Sequence, residues 1–196
     1  MHTVEGVVLA AGFSSRMGSF KPILKMGNKT IIERCIDDMY EVCSRIIVVG
    51  GYKLDLLYGA LRSYKNVELV YNENYKEGMF SSVKVGLNQV KEERFFITPG
   101  DYPFIGKNIY EDLLKCQADI VAPVYKGTRG HPLLIKSNLI KEVFNNERYT
   151  NMRDFINIKG YKALEVQDEG ILMDLDTIED YKYICALKRG IISEKN

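Results

Sequence analysis

Two cations and two carboxylates stand where chemistry on phosphate would need them. In VVLAAGFSSRMGSFKPILKMG, residues 7–27, an apolar run falls into small residues and Gly12, and Arg16 and Lys21 follow. Small residues let backbone N–H groups come close to an anion. Arg16 offers a planar fork for phosphate oxygens and Lys21 a point charge. Asp101 follows another apolar run, in ITPGDYP, and Asp174 follows GILM. A carboxylate placed like Asp101 either starts a turn or holds Mg²⁺, a hard cation that takes one or two carboxylates and completes its shell with phosphates and water. Asp174 is the candidate second ligand. Asp176 would share its face if the strand continued, but beside Thr177 it reads as structural, a cap for the last helix. Asp180 reads as first-turn helix charge.

The elements that must carry these residues alternate. Residues 4–10, 45–51, 67–71, 94–100 and 119–125 are short apolar runs bounded by turn signals, as buried strands are. Thr30-Ile-Ile-Glu33 has the spacing of a capping box and predicts a helix to about residue 42. Further helices are predicted over 54–63, 79–90, with Val83, Leu87 and Val90 on one face, and 109–116. Strands alternating with helices imply an α/β domain with a largely parallel sheet. The rhythm changes after Tyr125. KGTRG is a turn, HPLLIK a strand, NLIKEVFNNE a helix, MRDFI a short helix and YKALEVQD an alternating strand. MDLDTIEDYKYICALKR closes with a strand end and a last helix started by Thr177. The later half is expected to add antiparallel strands at the sheet edge. No linker divides the chain, so residues 1–196 read as one domain.

The whole chain narrows the partners. Its 196 residues suffice for a well-buried core, and its formal net charge of +1 gives no general attraction for nucleic acid. Anion binding must then be local. No apolar run approaches the roughly 20 residues that span a bilayer, and the start MHTVEGVVLAAG lacks the basic segment and long apolar core of a signal peptide. A cytoplasmic protein is expected. Cys35, Cys43, Cys116 and Cys185 form no C-x-x-C pair and read as reduced, mostly buried thiols. The tail SEKN reads as loose.

The first loop fits neither common phosphate motif. Gly12 is followed by Phe13-Ser14, which breaks G-x-G-x-x-G. Five residues separate Gly12 from Gly18, and Ser19-Phe20 follow, which breaks the Walker pattern. LAAGFSSRMGSFK instead resembles the L-A-A-G-x-S-x-R-M-G-x-x-K signature of the MobA-like nucleotidyltransferases. EGMFSSVKVGL, TPGDYPFI, GTRGHPLLI and MDLDTIEDY resemble that family's later segments, in the same order and across nearly the whole chain.

The resemblance implies a three-layer Rossmann-like nucleotidyltransferase fold, with a mostly parallel central sheet and some antiparallel strands. It implies transfer of a nucleoside monophosphate from an NTP to a phosphorylated small molecule, with Mg²⁺ bound at Asp101 and Asp174 and pyrophosphate released. Backbone from Leu9, Ala10, Ala11 and Gly12 would lie along the nucleoside and phosphates. Arg16 and Lys21 would meet the β- and γ-phosphates, and Ser81 and Ser82 the nucleobase, although both serines also read as ordinary caps. Tyr102 and His131 fall on the acceptor side. A phosphate nucleophile is already ionised, so His131 reads as lining that site or satisfying a local hydrogen bond, not as a base.

LAAG and GMFSSVKVG are similar to the cytidylyltransferase branch, which implies CTP, a molybdenum-bound pterin phosphate as acceptor and a molybdoenzyme to receive the product. Two residues depart from the pattern. Ile178 replaces the usual proline after Asp176-Thr177, and Tyr102 stands where glutamine is common, beside the expected metal. Three readings therefore stay open: this cytidylyltransferase; the same chemistry on a sugar phosphate, methylerythritol phosphate or phosphocholine; and a non-catalytic nucleotide-binding module.

Overall fold

The computed structural model describes residues 3–187, apart from the side chains of Arg16, Ile184, Cys185 and Leu187. The SEKN tail and the Cys185 thiol thus lie outside the described residues. In chain order the elements are β1 (Val4–Ala10), the two-stranded pair β2 (Lys25–Met26) and β3 (Lys29–Thr30), α1 (Ile31–Tyr40), β4 (Arg45–Gly50), α2 (Leu54–Leu61), β5 (Val67–Tyr71), α3 (Met79–Leu87), β6 (Arg94–Pro99), α4 (Lys107–Leu114), β7 (Ile120–Tyr125), β8 (Thr128–Arg129), β9 (Leu133–Lys136), α5 (Ile140–Asn145), α6 (Met152–Lys159), β10 (Lys162–Glu165) and α7 (Ile178–Leu187).

The main sheet has the order β10-β7-β9-β6-β1-β4-β5, with β8 paired to β7. β1 is central because it is apolar on both faces. Val4, Val8 and Ala10 join one core with Ile36, Leu57 and Leu113, on the side of α1, α2 and α4. Val7 joins a second core with Val83, Leu87 and Phe155, on the side of α3, α5 and α6. Helices on both faces of one sheet make three layers, the expected fold class. The two-residue period carries the same division into β4, where Ile46 and Val48 face the first core and Ile47 and Val49 the second.

Two local features hold the layers in place. Thr30 caps α1: its hydroxyl accepts from the Glu33 amide while the Glu33 carboxylate accepts from the Thr30 amide. Such a cap contributes about 1 kcal/mol. Gly86 lets α3 lie close on the sheet, since a Cβ there would sit 2.6 Å from Val7 Cγ1.

The later half departs from expectation twice. The antiparallel strand β9 is not at the edge. It lies between β6 and β7, and β10, parallel to β7, takes the edge. The reason is apolarity on both faces: Leu133, Leu134 and Ile135 are all buried, whereas β10 is mostly exposed. The strand end expected before the last helix is also absent. Residues Glu169–Leu172 form a 3-10 turn, capped by Asp168, which accepts from the Gly170 amide at 2.8 Å. A Cβ at Gly170 would lie 2.3 Å from the Phe104 carbonyl oxygen, so the chain turns tightly there. Residues 173–176 then run unpaired to α7.

Candidate active site

Parallel strands place their carboxyl ends on one rim, where open α/β sheets bind ligands. Register fixes the rim: Leu9 pairs with Val49 on one side and Pro99 on the other. The loop after β1 and the loop after β6 are therefore neighbours, and the Gly100 amide donates to the Leu9 carbonyl at 2.9 Å. The Tyr52 amide donates to the Ala11 carbonyl at 3.2 Å and ties the first loop to the end of β4. Gly51 permits that approach, because a Cβ there would meet Ala11 O at 2.9 Å and Tyr75 Cβ at 2.5 Å. Leu9 is half-buried, Ala10 and Ala11 are buried, and Gly12 is exposed. Arg16 sits by its backbone in a 3-10 turn, Ser15–Met17, on this loop; its side chain is outside the described part.

Lys21 begins a second 3-10 turn, followed by the buried Pro22. The turn carries the Lys21 ammonium back to the β6 loop, 2.9 Å from Asp101 Oδ2 and 3.4 Å from Asp176 Oδ1. Asp174 joins the cluster electrostatically. Its carboxyl is pushed up from the usual carboxylate range by burial first, then by Asp176 and Asp101, while Lys21 acts the other way. The unpaired segment is registered on the loop by the Leu175 amide, which donates to the Asp101 carbonyl at 3.1 Å. Leu175 itself is fully buried with Met26, Ile31 and Cys35. Asp174 and Asp176 thus reach one site because the residue between them is locked, not because a sheet strand continues. The Asp176 carboxylate meets Lys21 just before α7. Thr177 and Asp180 cap that helix reciprocally, at 2.8 and 3.1 Å.

Three carboxylates face one ammonium here, and Asp101 Oδ1 is buried without a hydrogen-bond partner among the described residues. An unmatched buried oxygen is costly and calls for a cation. No three His, Cys, Asp or Glu side chains among the described residues form a preformed metal cage. Cys35 lies beneath the loop, its thiol pushed up by burial first and then by Asp101, with the Tyr102 amide acting the other way.

Ser81 and Ser82 lie in the first turn of α3, and both are held by a residue that the sequence reading missed. Asn72, buried at the end of β5, donates from Nδ2 to Ser81 Oγ and Ser82 Oγ, each at 2.9 Å. Its Oδ1 accepts from the Asn74 amide at 3.0 Å, and its own amide donates to Gly50 O at 2.9 Å. Neither serine caps the helix by its side chain; Gly78 stands at that position. The available signal was weak: one asparagine directly after a strand, in YNEN.

Tyr102 and His131 meet across the β6 and β9 loops, with ring centroids 4.8 Å apart and the planes tilted by 60°. The His131 ring is pushed down to about 4 by burial first and then by the Arg129 charge, with the Ile97 backbone acting the other way. It is neutral at physiological pH. Its Nδ1 is buried without a partner among the described residues. Arg129, Asn151 and Arg153, also unread in the sequence, line the same cavity as this pair.

A sheet rim with a small-residue loop, a buried ammonium and clustered carboxylates is built to take an anionic ligand together with a cation. Residues 6–166 match the MobA-like NTP transferase domain, and the chain belongs to that family. It is 30% identical over 182 residues to the molybdenum cofactor cytidylyltransferase of Escherichia coli (strain K12), covering 92% of this chain and 95% of that protein. It is 28% identical over 177 residues to a probable molybdenum cofactor guanylyltransferase of Natranaerobius thermophilus, covering 84% of this chain and 82% of that protein. The solved structure of a nucleotidyl transferase from Methanothermobacter thermautotroptrophicus shares the fold, with a TM-score of 0.81 at 18% identity and full coverage of both chains. Among the described residues no helix is long and apolar enough to cross a membrane.

Proposed function

We propose that the chain, acting as one domain over residues 1–196, transfers CMP from CTP to the phosphate of the molybdenum-bound pterin cofactor and releases pyrophosphate. One observation carries the reading: Lys21 meets Asp101 and Asp176, beside Asp174, on the rim where residues 9–12 leave β1. Identity of 30% to a cytidylyltransferase, over nearly the whole of both chains, supports the choice of CTP and of acceptor.

Both reactants are anions, so the work is neutralisation and alignment; no covalent intermediate is needed. Backbone at Leu9, Ala10, Ala11 and Gly12 lies along the nucleoside and phosphates, and Ser81 and Ser82 meet the edge of the base. Lys21 and Arg16 take the β- and γ-phosphates and the charge that grows on the leaving pyrophosphate. Losing one such contact costs roughly 3 kcal/mol in the transition state, on the order of a hundredfold in rate. Asp101 and Asp174 would hold Mg²⁺. The orphaned Asp101 Oδ1 and the raised Asp174 fit that role, since a cation relieves both. When bound, the ion screens the phosphates and polarises the one under attack. Tyr102 and His131 line the acceptor's side. His131, neutral and buried, stays out of proton transfer, as an ionised nucleophile allows.

Three buried free thiols, Cys35, Cys43 and Cys116, fit a reducing compartment, and the cytoplasm with handover to a molybdoenzyme is the proposed setting. Melting the protein with each of the four NTPs, with and without Mg²⁺, tests the reading. A ligand at a hundred times its Kd stabilises by about 2.7 kcal/mol, or roughly 5–10 °C in a domain of this size. The shift is expected to be largest with CTP and to grow with Mg²⁺. An equal or larger shift with GTP would remove the case for cytidylyl transfer.

A further inference from the structure

The main sheet ends in β10 on one side and in β5 on the other. β10 carries Lys162 and Glu165, charges of the kind that keep an edge from pairing. β5, VELVY, has neither lysine nor proline, and its one charge, Glu68, is tied at 2.7 Å to Arg45 of its own sheet. The Asn66 carbonyl accepts from Ile46 and the Asn72 amide donates to Gly50, both toward β4. Backbone groups alternate along a strand, so those of Val67, Leu69 and Tyr71 point to the open edge. The Val67 amide is used by the Tyr64 carbonyl at 3.4 Å. The helix α2 lies level with Leu69: a Cβ on Gly50 would meet Leu54, Leu57 and Leu69 side chains at 2.5, 3.0 and 3.3 Å. It turns Asp55, Tyr58 and Arg62 to one side, and with Val67, Leu69 and Tyr71 they line a groove of about 520 Å³. Tyr58 is 65% exposed and Tyr71 49%, large rings on an edge that still offers hydrogen bonds. Asp55, Arg62, Lys65 and Glu73 around the groove are exposed and form no ion pair among the described residues.

We infer that β5 pairs antiparallel with β5 of a second copy, about a two-fold axis through Leu69, so that one sheet runs through both chains of a homodimer. That register sets Leu69 against the partner's Leu69 and Val67 against the partner's Tyr71, at positions whose backbone groups face outward. It sets Lys65 against the partner's Glu73. The same axis lays the two α2 helices side by side and antiparallel, with Tyr58 near the middle and Asp55 toward the partner's Arg62. A two-fold contact must be its own complement, and here each of the four charges meets its opposite. An extended peptide or an unlike protein would require no such symmetry, which favours a second copy as the occupant.

Analytical ultracentrifugation and hydrogen exchange on the full chain test this. A reversible dimer is expected, in which the Leu69 and Tyr71 amides exchange more slowly as the concentration rises. Arg62→Asp and Asp55→Arg each set like charges across the axis and are expected to raise the dimer Kd roughly tenfold or more. The double variant restores the opposite pairs and should return the Kd to within about threefold of wild type. Circular dichroism checks that each variant folds. A chain that stays monomeric up to about 100 µM would overturn the dimer. A dimer that neither single variant weakens, or whose Leu69 and Tyr71 amides exchange at one rate at every concentration, would overturn β5 as its seat. A double variant as weak as the singles would overturn the register.

Discussion

Lys21 and Asp101 are 80 residues apart in the chain, and their charged groups lie 2.9 Å apart. The pair joins the loop after β1 to the loop after β6, and a second bond reaches Asp176 at 3.4 Å. Lys21 is buried and Asp101 partly so. Removing either partner leaves a poorly solvated charge, whereas removing both leaves only the half-exposed Asp174 and Asp176 without the ammonium. Lys21→Met is therefore expected to lower turnover about a hundredfold and to cost about 1–3 kcal/mol of stability. Lys21→Met with Asp101→Asn should regain much of the stability and none of the activity. Urea unfolding and pyrophosphate release measure the two effects, and a double variant no more stable than the single one would contradict the pairing.

Asn72 holds both serines of the α3 turn by one amide group. Asn72→Leu removes both bonds and leaves two hydroxyls without their donor. The expected result is a rise of roughly tenfold in KM for the nucleotide, with a smaller change in kcat, because the turn is proposed to meet the base and not the reacting phosphorus. Steady-state kinetics separates the two constants. A fall confined to kcat would place Asn72 elsewhere in the mechanism.

His131 is held neutral, pushed down to about 4 from an ordinary value of 6.5. Between these values the unfolded chain binds the proton and the folded chain does not, so stability falls as pH drops from about 6.5 towards 4. The loss attributable to this one group is up to about 3 kcal/mol. His131→Leu should flatten that part of the acid limb. Urea unfolding at pH 4.5 and 7.0 compares the two proteins, and parallel losses would mean that another group sets the slope.

Gly86 is a packing constraint of the fold. A Cβ would meet Val7 Cγ1 at 2.6 Å and Val49 Cγ2 at 3.1 Å, both in close-packed strands under α3. Gly86→Val is expected to cost about 3 kcal/mol or more through overpacking and to loosen the serine turn at the other end of the helix. Thermal melting measures the first effect and nucleotide affinity the second.

Where the chain carries a period, the sequence was legible. Val4–Ala10 and Val67–Tyr71 fall where the apolar runs placed them, and α1 starts at the Thr30 capping box. β9 was misplaced because alternation and continuous burial are hard to tell apart in a run of four residues. The segment after GILM was misread because a tight contact between Gly170 and Phe104, distant in sequence, turns the chain. In the site, Asp101 and Asp174 follow apolar runs and Lys21 follows the small-residue loop, and the family resemblance gave them their expected roles. Asn72, Arg129 and Arg153 carry no such signal: an asparagine in a loop or an arginine on a turn gains meaning only once the fold shows what it faces.

The most direct test of the account is pyrophosphate release from each NTP in the presence of molybdenum-loaded pterin cofactor, with and without Mg²⁺. Release is expected with CTP, dependent on Mg²⁺ and on the acceptor, and reduced about a hundredfold in Asp101→Asn. Equal release from GTP, or release from CTP that Asp101→Asn leaves intact, would contradict it.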